Sequence, residues 1–136
     1  MMSYKKKYYN ALDNIEKLKE FNSIMSQWIG IKQEGLHLSD FFLKNNWKEV
    51  AIYGYGELGH CLDGELRDSG VTVKYIIDRN ADRIYSEVPC KKPEDDLGEV
   101  DAVVITPVHS AESIKNDLKR KLSCSIISLD SIMNEI

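Results

Sequence analysis

The three cysteines, Cys61, Cys90 and Cys124, form no CxxC pair and are odd in number. That argues against a disulfide framework and against a zinc knuckle, and the thiols are expected as small core residues. The three histidines, His37, His60 and His109, are scattered without metal-ligand spacing, so no metal site is expected. No apolar run approaches the roughly 20 residues needed to cross a bilayer. The start carries Lys5-Lys6-Lys7 but no apolar h-region behind it. No signal peptide is therefore read, and a cytoplasmic protein is expected. There is no internal repeat and no low-complexity linker. No Ser-His-Asp ordering and no paired-carboxylate site stands out.

What is present suits one globular domain. The chain has 136 residues, enough to bury a core without disulfides or metals. Its net charge is −4, unevenly placed. Residues 1–46 sum to +2 and residues 47–136 to −6. Phosphate contacts dominate nucleic-acid affinity, so an acidic main body is a poor match for nucleic acid.

Two unequal parts follow from the patterning. Residues 1–46 read as an N-terminal helical extension. Tyr4, Tyr8, Leu12, Ile15, Leu18 or Phe21, Met25, and Trp28 with Ile29 recur at three- and four-residue steps, which predicts a helix over about 4–29. Gly30 and Gly35 are expected to bracket a turn. A shorter helix is expected through Leu38, Phe41 and Phe42 to Asn45-Asn46. Trp28 and Trp47 read as packing residues.

Residues 47–136 alternate strand and helix. Val50–Tyr53 is an apolar run, as expected of a strand covered on both faces. Glu57–Asp68 reads as a helix, with Gly70 as its stop. Val71–Ile77, Val88–Cys90, Asp101–Thr106 and Ser125–Leu129 read as further strands, and residues 79–87 as loop. Ala111–Leu122 reads as a helix with Ser110 as N-cap. Asp130 or Ser131 is expected to cap a final short helix. Strands separated by helical crossovers imply an α/β fold with a roughly five-stranded parallel sheet in three layers.

The strongest chemical signal is Gly54-Tyr55-Gly56-Glu57-Leu58-Gly59. It follows a buried strand and opens a helix, which raises it above a chance GxGxxG. Gly54 permits the tight turn. Gly56 lets a pyrophosphate approach the backbone. Gly59 lets helix and sheet pack closely. The helix N-terminus presents free N–H groups and a partial positive charge to an anion. This is the Rossmann fingerprint and predicts a nucleotide-binding domain over 47–136. The next strand ends at Asp78, nineteen residues past Gly59, near the spacing of a ribose-binding acid. A carboxylate there favours NAD over NADP, while Arg79 beside it offers a cation for a 2′-phosphate. Glu57 would repel a pyrophosphate unless it points away. Tyr55 either stacks on a base or sugar or covers the sheet edge. No Gly-Lys-Ser/Thr follows the glycines, so this is not a P-loop.

Two resemblances bear on function. The segment DAVVITPVH resembles the fourth strand of the glucose–fructose oxidoreductase and inositol dehydrogenase family, where a similar Thr-Pro borders the nicotinamide. On that resemblance Thr106 and Pro107 would line the cofactor site. Those enzymes carry a second, substrate-binding domain with the catalytic lysine and histidine, which these 136 residues do not contain. Residues 47–136 also resemble the small Rossmann modules of bacterial sugar and polysaccharide biosynthesis. VAIYGYGELG, Ile77-Asp78, the short Val88-Pro89 segment, DAVVIT and IISLDSI carry that likeness. It implies binding of NAD or a UDP-sugar-like nucleotide and transfers no catalytic residue.

His109 follows the fourth strand, on the edge where ligands bind in such sheets, and is the single weak candidate for a general base. The apolar face of the N-terminal helix needs burial, either on its own domain or in a second copy, and a homodimer through the N-terminal helices is expected. Three functions are compatible with these residues: a nucleotide-binding module in a sensor or accessory role, a small NAD-linked oxidoreductase completed by a partner, or an interaction protein that has lost its ligand.

Overall fold

A computed structural model of the chain describes residues 3–136; Met1 and Met2 of the N-terminal extension lie outside the described residues. Strand β1 (Glu49–Tyr53) is apolar after its first residue, and Val50, Ala51 and Ile52 are fully buried. Such a strand needs cover on both faces, which a parallel sheet with flanking helices provides. The chain continues through α3 (Glu57–Leu66), β2 (Thr72–Ile77), β3 (Cys90–Lys91), β4 (Ala102–Ile105), α4 (Ala111–Lys119), β5 (Ser125–Ser128) and α5 (Leu129–Asn134). Before β1 come α1 (Tyr4–Gln33) and α2 (Leu38–Lys44).

The five strands are all parallel, in the order β3-β2-β1-β4-β5. This Rossmann-like α/β sheet reverses its strand order between β1 and β4, and that reversal is where open α/β sheets bind ligands. One face of the sheet (Val50, Ile52, Val104) packs against α3, α5, α2 and the C-terminal half of α1. The other face (Ala51, Tyr53, Val103, Ile105) packs against α4 and the Leu97–Val100 segment. Among the described residues no helix is long and apolar enough to cross a membrane.

Two helix ends show why the N-terminal segment folds as it does. After α1, Gly35 takes φ +75°. The Leu36 N–H bonds the Ile31 carbonyl, and the Gly35 N–H bonds the Lys32 carbonyl. This is a Schellman cap. Asn46 repeats it after α2 with φ 59°, and Trp47 bonds back to the Phe42 carbonyl while its ring meets the Phe42 ring edge-on. Gly35 thus makes the turn alone. Gly30, expected to share it, lies inside α1, where burial of Ile31 one residue later outweighs the roughly 1 kcal/mol that glycine costs a helix.

Other expectations are corrected in detail. Helix α3 ends at Leu66 and α4 at Lys119, each a few residues early. Asp68 at φ 58° and Gly70 at φ 89° turn the chain into β2. Ser110 precedes α4 but makes no capping hydrogen bond. Helix α5 begins directly after β5 at the buried Leu129, with Ser128 at its N-cap rather than Asp130 or Ser131, because burying Leu129 sets the turn. The loop between β2 and β3 carries a 3-10 turn at Ala81–Arg83. Of the cysteines, only Cys124 packs against the core, half-buried; Cys90 is half-buried and Cys61 is exposed. The predicted apolar stripe of α1 is also displaced. The helix buries Ile24, Trp28 and Ile31, while Tyr4, Tyr8, Leu12, Ile15, Leu18 and Ile29 are exposed.

Candidate functional site

Strand register places the site. Tyr53 pairs with Ile77 on one side and with Ile105 on the other. The next residue of each strand, Gly54, Asp78 and Thr106, therefore stands in a row along the carboxyl edge at the switch point.

Gly54 has φ +90°, and a Cβ there would meet Pro107 Cδ and Thr106 Oγ1, both at 2.8 Å. Conformation and space each demand glycine. A Cβ on Gly59 would overlap the carbonyl oxygen of Gly54. That overlap is the close helix–strand approach expected of the third glycine. Gly56 differs from both. Its φ is −80°, and a Cβ there would meet nothing within 4 Å. It is the N-cap of α3 and faces a cavity. The first N–H groups of α3 have no partner within the helix and are aimed toward that end.

The cavity holds about 530 Å³ and is lined by Gly54, Tyr55, Gly56, Glu57, Leu58, Asp78, Thr106 and Pro107. Its roof is α1, which contributes Lys17, Leu18 and Phe21. These three residues give the site a cation and an apolar cover, and no sequence motif ties them to the glycine loop. Lys17 is bound to Asp13 one turn away at 3.1 Å, with both side chains about half exposed. Such a pair is weak and readily exchanged for another anion. The hydrogen bond from Lys17, helped by its charge and by His109, holds the Asp13 carboxyl below its ordinary pKa.

A second cavity of about 570 Å³ lies on the other side of Gly54, Asp78 and Pro107 and includes Arg79, Asn80 and His109. The shared wall makes the two cavities halves of one crevice along the strand ends.

Asp78 is at its centre, and its carboxylate already has work. One oxygen accepts the Tyr55 N–H at 2.8 Å and the other accepts the Asn80 N–H at 2.8 Å. It ties the glycine loop to the end of β2. Each oxygen keeps a second lone pair for a hydroxyl. Arg79 is exposed beside it. Thr106 is buried, and its hydroxyl lies 2.9 Å from the carbonyls of both Tyr53 and Gly54. It locks β4 to β1 rather than reaching outward.

Tyr55 lines the cavity, and its ring is engaged within the protein. It stacks on His60 with centroids 3.9 Å apart, and its hydroxyl donates to Asp63 at 2.6 Å. Burial and the Asp63 carboxylate push its pKa up to about 12. Glu57 is exposed at the rim. His109 is turned toward α1: Nε2 lies 3.0 Å from Asp13 Oδ1 and Nδ1 lies 3.4 Å from Glu20 Oε1. With both ring nitrogens facing carboxylates, the imidazole serves to dock α1 across the strand ends.

A larger depression, about 910 Å³, lies between α1 and α3. Its floor holds Glu65, whose side chain is only 6% exposed. Trp28 Nε1 and Lys32 Nζ donate to the two Glu65 oxygens, each at 2.8 Å. Burial opposes the charge, but the hydrogen bonds from Lys32 and Trp28 outweigh it and hold the Glu65 pKa below its ordinary value. This neutralised network joins α1 to α3 and offers a ligand no unpaired group, unlike the helix N-terminus at the glycine loop. Comparison of the chain with protein-family models, curated proteins and solved structures returned no match.

Proposed function

We propose that the protein binds a nucleotide diphosphate, NAD or a UDP-sugar-like nucleotide, at the glycine loop, as a sensor or accessory module in sugar or polysaccharide metabolism. The observation that carries this reading is Gly56. The fold needs glycine at Gly54 and Gly59, but nothing in the protein occupies the space beside Gly56 except a cavity at the N-terminus of α3. A pyrophosphate there would accept from the free N–H groups of α3 and draw Lys17 from Asp13. The free lone pairs of Asp78 would take a ribose hydroxyl, and Phe21 would cover the ligand from α1. With His109 committed to α1, no general base is assigned, and the reading is binding without a complete catalytic centre. The same reading has the protein working in the cytoplasm and self-associating through its N-terminal helices, whose exposed outer face supports it.

Thermal denaturation with NAD, NADP, ADP, UDP, UDP-sugars and coenzyme A tests the binding. A ligand at 100 times its Kd stabilises the fold by about 2.7 kcal/mol. A shift with one nucleotide class that Gly56→Val cancels supports the reading. No shift with any of them at millimolar concentration overturns it.

A further inference from the structure

Helix α1 carries two apolar faces. The inner face, Ile24, Trp28 and Ile31, is buried in the core. The outer face repeats in steps of four and three. Tyr8, Ile15, Asn22 and Ile29 recur every seven residues, and so do Tyr4, Ala11, Leu18 and Met25. They form the a and d positions of a heptad repeat that runs nearly the whole helix. At 100° per residue the two faces stand about 140° apart on the helix. The core takes up part of Met25 but leaves most of the outer seam uncovered: Tyr4 is 87% exposed, Leu18 62% and Ile29 54%. A helix that only capped its own domain would have no use for a second stripe of period 3.5, and that period is the one that winds two helices together.

We propose that a second copy of this chain covers the seam, as a parallel, in-register, two-stranded coiled coil. The inference rests on the self-association part of the reading above and is independent of nucleotide binding. Two features select this partner and this orientation, and a third is compatible with them. Isoleucine at two a positions, Ile15 and Ile29, with leucine at the d position Leu18 suits two strands. Asn22 is the one polar side chain in the seam and sits at an a position, where paired asparagines fix register between parallel helices. Flanking charges agree as well. The parallel pairing sets Lys7 against Leu12 of the second copy, Asn14 against Lys19 and Phe21 against Ser26, with no like-charge pair. The full-overlap antiparallel pairing, with Tyr4 opposite Ile29, is equally free of like-charge pairs, so the orientation rests on Asn22, which meets its own twin only in the parallel register. The seam would bury on the order of 1,200 Å² over both chains, at about 100 Å² for each apolar side chain, which reaches the range of stable interfaces. Leu18 belongs both to this seam and to the roof of the glycine-loop cavity. The second copy would therefore lie along the edge of that cavity.

Size-exclusion chromatography with light scattering should return twice the 15.6 kDa chain mass. Leu18→Asp, on an exposed position, should return the single mass with unchanged circular dichroism. Ala11→Cys in a Cys61→Ser background should give a covalent dimer on mild oxidation, because position 11 meets its own twin only in the parallel register. The Cys61→Ser parent should give none. A monomeric wild-type protein at micromolar concentration overturns self-association altogether. A dimer whose introduced thiols do not cross-link overturns the parallel coil while leaving self-association standing.

Discussion

A Cβ at Gly59 would run into the carbonyl oxygen of Gly54, whereas the entire side chain of Leu18 on α1 stands mostly in solvent. The glycine loop and α1 form facing walls of one cavity, with Leu18 at the edge where that wall meets the outer face of the helix, yet the surroundings constrain loop and outer face very differently. In the loop, backbone approaches backbone, so residue type is dictated within tenths of an ångström. On the outer face of α1 the fold constrains the side chains little, since most of them stand in solvent. A strong sequence signal can thus reflect the fold, as at Gly54 and Gly59, or an external partner, as proposed for Gly56 and the heptad seam. Substitutions separate the two cases.

The largest loss is expected from Trp28→Ala. It opens a cavity under α1 and removes a donor from the buried Glu65 carboxylate, at a cost of about 3–5 kcal/mol in urea unfolding. Gly59→Ala should follow at about 3 kcal/mol, because helix and strand must separate to admit the methyl. If either variant unfolds like the wild type, the distinction between inner and outer constraint fails.

Glu65→Gln should cost about 1–2 kcal/mol at neutral pH. The sign of its pH dependence follows from the lowered folded-state pKa. Glu65 stabilises the fold above the ordinary glutamate value, and that stabilisation is lost as pH falls through its folded pKa. The gap between wild type and variant should therefore close on acidification; a gap that widens toward acid would refute the network. Asp78→Asn should cost about 1 kcal/mol, because the amide nitrogen that replaces one oxygen cannot accept, so either the Tyr55 or the Asn80 N–H loses its partner.

The smallest effect is expected at Gly56→Ala, within about 0.5 kcal/mol, since the added methyl meets open space at an ordinary φ. Its consequence should appear only in nucleotide binding. A destabilisation as large as that of Gly59→Ala would return Gly56 to the fold and remove the main support for the site.

Much of the fold was legible before the structure. β1, the glycine turn and α3 were readable because one short segment holds an apolar strand, a backbone-permissive turn and a helix, each a local property. The strands β2, β4 and β5 were readable from their β-branched runs. The site was legible only in part. Gly54, Gly56, Gly59, Asp78, Thr106 and Pro107 do converge, since parallel register aligns the strand ends. Lys17 and Phe21 were not attached to the site, because nothing local links α1 to a loop after β1. His109 read as a candidate base because its position along the strand edge is visible in the sequence, while its carboxylate partners Asp13 and Glu20 lie on a distant helix.

By itself the sequence determined the alternation of elements, the parallel α/β class and the glycine turn, for these follow from local periodicity and allowed backbone angles. Only the tertiary structure decided which stripe of α1 is buried, what His109, Asp78 and Tyr55 bind, and where the cavities open. Those depend on which surfaces meet across long stretches of chain. An amphipathic helix can satisfy its periodicity against more than one surface, and a polar side chain takes whichever partner the packing brings within about 3 Å.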